Sequence, residues 1–240
     1  LFVVYYLQDG IVGFVRNLFA RKGGATDDHA FRTIDRSKDA IMVATNTGHV
    51  EAGHDLLTAK GVLMQFGGLK AINLVDLHVK RGTIHGLIGP NGSGKSTMMN
   101  VLTGIYVPTA GSIEFAGRSV VGRTSSDIAL SGIARTFQNV QLFGEMTALQ
   151  NIQVGLHHSF ASNILDVSLH SPRYRREEDA SVERGLGLIN FVGLTGLAHE
   201  EARNLPYGKQ RLLEIARALA LDPQLLLLDE PAAGLTAPDI

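Results

Sequence analysis

The chain has 240 residues, of which 45% are hydrophobic, and its formal net charge is -1. This length and apolar content predict a folded protein with one sizeable core. A charge so close to neutral excludes the broad positive field that is typical of nucleic-acid binders, so we expect no nucleic-acid partner. Cysteine is absent, which excludes disulfides and thiolate metal sites and suits a reducing compartment.

The N-terminal part of the chain precedes the predicted domain and divides into two segments. Residues 1–22 begin as an apolar stretch that is interrupted at residues 8–10, and the uninterrupted run is too short to cross a bilayer. Two interpretations stay open: an amphipathic or disordered leader, or the end of a transmembrane helix with Arg21 and Lys22 on the cytoplasmic side. Residues 23–54 are polar and without a sustained period, which predicts a linker.

The main domain is predicted to run from Asp55 to Ile240 and to begin with a hairpin. Apolar and polar residues alternate on both sides of Gly67 and Gly68, which indicates two strands joined by a turn. The apolar run from Thr83 to Ile88 then predicts a buried strand that ends in a glycine-rich turn.

Helices and strands alternate over the rest of the domain. After the glycine-rich turn we expect a helix at about 95–102, a strand at 111–117, a strand near 133–138, a helix from about 147, a charge-dense helix at 173–194, a helix at 206–221 and a strand at 224–229. This alternation predicts an α/β fold with a largely parallel sheet.

The glycine-rich turn GPNGSGKST carries the most specific signal in the chain. It matches G-x-x-x-x-G-K-[ST] and lies between a predicted strand and a predicted helix, as a phosphate-binding loop must. Its backbone N–H groups are expected to point at phosphate oxygens, with Lys95 reaching the β- and γ-phosphates and Ser96 ligating Mg²⁺. The predicted ATP-binding residues of this phosphate loop are Gly89, Pro90, Asn91, Gly92, Ser93, Gly94, Lys95, Ser96 and Thr97.

The run LLLLDEP supplies a second set of candidate residues. Its leucines predict a buried central strand that ends at Asp229, and ligands of open α/β sheets gather at that edge. Asp229 is expected to hold Mg²⁺ through water, and Glu230 to polarise the attacking water. We refer to these two residues as the acid pair.

Four segments occur in the order and spacing of the ATP-binding subunits of ABC transporters, which the chain resembles from Asp55 to Ile240. They are the phosphate loop, Gln138 in RTFQNVQLF, the segment NLPYGKQR and LLLLDEPAAGL. Four features resemble more narrowly the ATPases of branched-chain amino acid importers. They are RTFQNVQLFGEMTALQNI, the tyrosine in LPYGKQR, DEPAAGL and an insertion around 156–183. The resemblance implies a P-loop NTPase core with a largely parallel sheet, an N-terminal antiparallel β subdomain and a helical subdomain that carries a signature loop.

The resemblance also implies roles for individual residues. Phe66 takes the place of an aromatic that stacks on adenine, although a lone Phe at a strand end is more often core. Gln138 takes the place of a residue that senses Mg²⁺ and water and couples to the membrane subunit. The implied catalytic residues are Glu230, Lys95 and Gln138, and the implied Mg²⁺ ligands are Ser96, Gln138 and Asp229. The implied signature loop, which closes over the partner's ATP, is Leu205, Pro206, Tyr207, Gly208, Lys209 and Gln210.

Two departures from the family pattern bear on these roles. The commonest signature loop is Leu-Ser-Gly-Gly-Gln, so Pro206 lacks a hydroxyl that would bond phosphate, and such a bond to a charged group is worth roughly 1.5–3 kcal/mol. The family's histidine that contacts the γ-phosphate follows a further strand beyond Glu230, and the sequence stops before it. The sequence starts with Leu1 rather than Met and stops at Ile240 directly after a glycine-bearing loop, so we expect the chain to be incomplete at both ends. Without that histidine we expect the segment 1–240 to be inactive.

These resemblances imply an ATPase, with ATP and Mg²⁺ as cofactors, that energises import of a small polar solute at the cytoplasmic face of the cell membrane, with branched-chain amino acids as the leading substrate. Its implied partners are membrane permease subunits, a second ATPase subunit in a homo- or heterodimer, and indirectly a periplasmic or extracellular solute-binding protein. Residues 1–22 resemble the end of such a permease, which implies a fused chain with residues 23–54 as the joint. The alternatives are a soluble ABC-type ATPase not coupled to transport, a urea or amide importer ATPase, and a nucleotide-binding fragment without turnover.

Overall fold

The computed structural model describes residues 55–160, 162, 166 and 171–230. The predicted permease end, the predicted linker and residues 231–240 lie outside the described residues. The secondary-structure elements, in chain order, are β1 (Asp55–Phe66), β2 (Leu69–Lys80), α1 (Lys95–Leu102), β3 (Ala110–Phe115), β4 (Arg118–Ser119), α2 (Ser125–Leu130), β5 (Ile133–Arg135), α3 (Ala148–Leu156), α4 (Pro172–Phe191), α5 (Tyr207–Leu219) and β6 (Leu225–Leu227). Short 3₁₀ turns lie at His157–Ser159 and Ala202–Asn204.

Four strands form an antiparallel sheet in the order β2-β1-β3-β4. The predicted hairpin is confirmed, and its turn uses Gly67 at φ +56°, a left-handed conformation that glycine adopts without steric cost. Alternate residues of β1, including Leu57 and Ala59, face a core that also takes in Ile113, Phe115 and apolar residues of α1. This antiparallel unit is the N-terminal β subdomain that the resemblance implies.

A second, parallel sheet pairs β5 with β6. Its register sets Ile133 opposite Leu225 and Arg135 opposite Leu227. The pairing of the two strands continues for one residue beyond β5, since the Thr136 N–H donates to the Leu227 carbonyl at 3.0 Å. The segments that lead to Gln138 and to Asp229 therefore leave this sheet at the same edge.

The strand predicted at Thr83–Ile88 is wrong. This segment has no regular secondary structure, and Ile84, Leu87 and Ile88 are exposed. An apolar run favours burial, but a strand also needs a neighbour whose backbone groups pair with its own. Within the described residues the parallel sheet holds β5 and β6 alone, and the leucines of β6 are half-buried, so β6 is not the buried central strand that was expected.

Three helices pack around a second core and form the implied helical subdomain. Thr147 and Gln150 make a capping box at the start of α3, and Ser171 caps α4 just before a proline, which explains where both helices begin. The core between the helices includes Leu149, Ile152, Leu188, Leu213 and Ala216. None of the helices in the described ranges combines the length and the apolar character that crossing a membrane requires.

Candidate functional site

The phosphate loop turns directly into helix α1. The Ser93 N–H donates to the Pro90 carbonyl at 3.2 Å, and α1 begins at Lys95, straight after Gly94. Gly94 has φ +90°, and a Cβ atom there would lie 2.4 Å from the backbone oxygen of Ala71 in β2. Glycine is required at this position because any side chain would clash with backbone and strain the turn. The helix N-terminus is thereby held closely against the antiparallel sheet.

Lys95 folds back over the phosphate loop. Its Nζ atom donates to the backbone carbonyls of Gly89 at 2.7 Å and of Pro90 at 3.0 Å. Both acceptors are neutral, so these bonds orient the ammonium group without cancelling its charge. Ser96, one residue further on, is exposed. The loop therefore combines a fixed positive charge, an accessible hydroxyl and a helix N-terminus, three features that favour an anion.

Phe66 lies at the end of β1 and at the protein surface. Its ring packs edge-on against Tyr106, with the ring centroids 5.2 Å apart and an interplanar angle of 77°. The residue remains 43% exposed. Phe66 is therefore outside the core, and its ring is held by one aromatic neighbour while much of its surface stays open.

The acid pair follows β6 and is linked to the helix of the phosphate loop by Arg135. One terminal nitrogen of Arg135 lies 3.1 Å from Asp229 Oδ2, and the side chains are only 7% and 13% exposed. The other terminal nitrogen donates to Asn100 Oδ1, on α1, at 2.6 Å. The structure thus connects two segments that the sequence analysis treated separately. Glu230 has φ +50°, in the left-handed region.

Gln138 is exposed and lies just beyond β5. The three predicted metal ligands all offer oxygen atoms, namely the amide oxygen of Gln138, the hydroxyl of Ser96 and the carboxylate of Asp229. Oxygen ligands are those that Mg²⁺ prefers, so the chemistry of this predicted donor set fits the metal.

The signature loop has a buried base and an exposed tip. Leu205 and Gly208 are buried, whereas Pro206 and Tyr207 are exposed at the start of α5. The Gln210 side chain donates to the Leu205 carbonyl at 2.8 Å and holds the turn in shape. The tip is therefore accessible to a second molecule.

Two buried charged residues on α5, Arg211 and Glu214, contact the functional segments and were missed by the sequence analysis. Glu214 Oε1 accepts a hydrogen bond from the Phe137 N–H at 3.2 Å, and Arg211 donates to the backbone carbonyls of Asp229 and Glu230. A signal existed, because these charges share a helical face with buried Gly208 and Ala218. Charges on a buried face are seldom left unpaired and therefore mark a specific contact.

Comparison with known proteins supports, as this geometry does, an assignment to the ATP-binding subunits of ABC transporters. The family model described as ABC transporter matches residues 72–233. The high-affinity branched-chain amino acid transport ATP-binding protein BraF of Pseudomonas aeruginosa is 45% identical over 180 residues, which cover 75% of this chain and 71% of that protein. Its counterpart LivG of Salmonella typhimurium is 44% identical over 180 residues, with the same two coverages of 75% and 71%.

Solved structures confirm the fold class. A nucleotide-free ATP-binding cassette from an ABC transporter superposes with a TM-score of 0.65 at 32% sequence identity, covering 78% of this chain and 73% of that one. The P-loop NTPase fold expected from the sequence is thus confirmed, as are ATP and Mg²⁺ as cofactors at the level of the family. This chain belongs to the ABC transporter family and is an ABC-type ATPase.

Proposed function

We propose that this ATPase energises the import of branched-chain amino acids. The observation that carries the proposal is its identity of 44–45% to LivG and BraF over three quarters of the chain. The proposed location is the cytoplasmic face of the membrane. There the ATPase contacts permease subunits and acts indirectly with a periplasmic or extracellular solute-binding protein. Selection of the solute belongs to those partners, while this chain supplies the ATP-driven step.

The phosphate loop is proposed to bind the triphosphate of ATP. On binding, Lys95 exchanges the neutral carbonyls of Gly89 and Pro90 for charged oxygens of the β- and γ-phosphates, which form stronger hydrogen bonds. The N–H groups at the start of α1 add further donors. Phe66 is proposed to stack on the adenine ring.

Hydrolysis is proposed to depend on the acid pair and on Gln138. Ser96, Gln138 and Asp229 would hold Mg²⁺ through oxygen ligands, and the metal would supply neutralisation of charge on the phosphates. Glu230 acts as the general base that accepts a proton from the attacking water. The link from Asn100 through Arg135 to Asp229 supports this assignment, because it ties the helix of the phosphate loop to the acid pair.

The signature loop is proposed to act on ATP held by a second ATPase subunit, either identical or related. Its exposed tip at Pro206 and Tyr207 supports this role. Pro206 offers no hydroxyl, so the backbone around Gly208 and the N-terminal dipole of α5 supply the attraction for the partner's γ-phosphate. The site is in this way completed between two subunits.

The proposed domain order rests on sequence resemblance. Residues 55–240 are the ATP-binding domain, residues 1–22 the end of a membrane permease, and residues 23–54 the linker that joins them. A protein of this order would deliver permease and ATPase as one chain.

The transport proposal is tested with the complete protein and its permease in liposomes, together with the solute-binding protein. We expect ATP-dependent uptake of labelled leucine that excess unlabelled isoleucine or valine suppresses, because one importer carries all three. Excess urea and acetamide serve as matched controls and should leave the uptake unchanged. Uptake of labelled urea with no uptake of leucine would reassign the substrate to the amides. ATPase activity that no solute and no permease changes would identify an enzyme uncoupled from transport.

The stacking role of Phe66 predicts a moderate loss of ATP affinity on Phe66→Ala. Loss of stacking on a base costs about 1–3 kcal/mol, so the dissociation constant should rise by about 5- to 150-fold, with no change in charge neutralisation. Phe66→Tyr keeps the ring and should bind ATP as the parent does. The measurement is displacement of a fluorescent ATP analogue by ATP and by GTP. If Phe66→Ala binds ATP with the parent affinity, Phe66 does not stack on the base.

A further inference from the structure

The buried ion pair Arg211–Glu214 on α5 has no part in the roles proposed above. The side chains are 1% and 2% exposed, and a terminal nitrogen of Arg211 lies 3.0 Å from Glu214 Oε2. Removing two charges from water is costly, and apolar residues of similar volume often stabilise a core equally well. Stability alone therefore does not account for this pair, and its other contacts are informative.

Those contacts reach two functional segments at once. Glu214 Oε1 accepts from the N–H of Phe137 at 3.2 Å, and Arg211 donates to the carbonyl of the same residue. The second terminal nitrogen of Arg211 donates to the carbonyls of Asp229 and, at 3.1 Å, of Glu230. The pair is therefore bonded to the residue before Gln138 and to both members of the acid pair.

The backbone of Glu230 needs such support. Its φ of +50° is in a region that residues with a side chain rarely adopt. Conformations of this kind persist where the surroundings hold them, and among the described residues Arg211 donates to the Glu230 carbonyl. Arg211 thus acts on the direction in which the Glu230 carboxylate leaves the backbone, without touching that carboxylate.

The same pair belongs to the helix that carries the signature loop. α5 begins at Tyr207, so Arg211 lies about one turn after the loop tip. A buried side-chain fork that is hydrogen-bonded to two segments transmits a shift of α5 to them, because packed interiors yield little. Arg211 and Glu214 therefore join the signature loop, which is proposed to contact the partner's ATP, to the segments of Glu230 and Gln138, which are proposed to act on the attacking water.

We propose that Arg211 and Glu214 are positioning residues for hydrolysis, which hold Glu230 and the segment leading to Gln138 in a fixed relation to the signature helix. This inference rests on the proposed roles of Glu230 and Gln138. The pair sets the rate of water attack and leaves the affinity for ATP unchanged, since its hydrogen bonds to other described residues go to Phe137, Asp229 and Glu230 and not to the phosphate loop.

The test replaces both charges together in the complete protein. A single change would leave one buried charge unpaired and is expected to unfold the domain, whereas Arg211→Met with Glu214→Leu keeps the volume and removes both charges. We expect this double variant to fold and to bind ATP within about threefold of the parent, while kcat falls by about tenfold or more because Glu230 loses its alignment. A kcat equal to that of the parent would overturn the inference. Parallel losses of thermal stability, ATP affinity and kcat would reduce the pair to a structural role.

Three further variants separate the explanations. Leu213→Ala, at a fully buried position of the same helix, lowers stability without altering these contacts and should keep kcat per folded molecule. Arg211→Lys keeps the positive charge but not the forked guanidinium group. Its thermal stability should therefore stay closer to that of the parent than its kcat does. Glu230→Gln tests the proposed base directly. If Glu230→Gln turns over at the parent rate, the proposed role of Glu230 fails; if it is inactive while the double variant is fully active, only the positioning role fails.

Discussion

Replacing Lys95 with alanine is expected to abolish measurable ATP binding. Lys95 is the cation that the phosphate loop itself contributes, and its Nζ atom is already held at the loop by the carbonyls of Gly89 and Pro90. Each hydrogen bond from a charged donor to phosphate contributes about 1.5–3 kcal/mol, so losing two of them weakens binding by a factor of about 100 or more. Equilibrium titration with a fluorescent ATP analogue measures the effect.

The matched control for this change is Lys60→Ala. Lys60 is exposed on β1, so its removal subtracts the same charge from the protein away from the phosphate loop. ATP affinity should stay at the parent value in this variant, and both variants should melt close to the parent temperature. Equal affinity of Lys95→Ala and the parent would remove the phosphate loop from the proposed site.

The second large effect is expected for Glu230→Gln in the complete protein. Glutamine keeps the shape and can still hydrogen-bond water, but it cannot accept a proton. General-base catalysis contributes about 10²- to 10⁴-fold, so phosphate release should fall by that order while ATP still binds. Because the signature loop is unchanged, ATP-bound subunits should accumulate as a closed dimer. Phosphate release and sedimentation with ATP·Mg measure the two parts of this prediction.

Glu145→Gln provides the control for this isosteric change. Glu145 is exposed and pairs with Arg203 at the surface, a kind of interaction that contributes little to stability. Turnover and oligomeric state should match the parent in that variant. Parent-like turnover in Glu230→Gln would show that another group accepts the proton, and slow turnover without a stable dimer would separate the base from subunit closure.

Local signals in the sequence predicted the parts of the fold that depend on neighbours along the chain. The hairpin through Gly67 and Gly68 follows from alternation and turn chemistry, and α1 follows from the glycine-rich turn before it. Helix α2 was missed, since six residues are too few to establish a period, although Thr124 caps it by accepting from the Asp127 N–H. The strand predicted at Thr83–Ile88 was wrong because an apolar composition indicates a preference for burial but not the presence of a neighbouring strand with which to pair.

Candidate site residues divide in the same way. The phosphate loop and the acid pair stand out because a few residue types at fixed spacing imply their chemistry. Arg135 was passed over, because its partners Asn100 and Asp229 lie 35 and 94 positions away in the sequence. Contacts over such separations depend on how the strands pair, and one sequence without relatives does not contain that pairing.

The short ladder between β5 and β6 has a consequence for changes in chain length. Three residue pairs define its register, and only Thr136 and Phe137 separate it from Gln138, as only Leu228 separates it from Asp229. Each residue of extended chain advances about 3.3 Å and turns the next side chain to the opposite face. Inserting or deleting a single codon in either spacer would therefore move and invert a functional side chain that is itself intact. In this part of the chain, we therefore expect function to depend on the number of residues as well as on their identity.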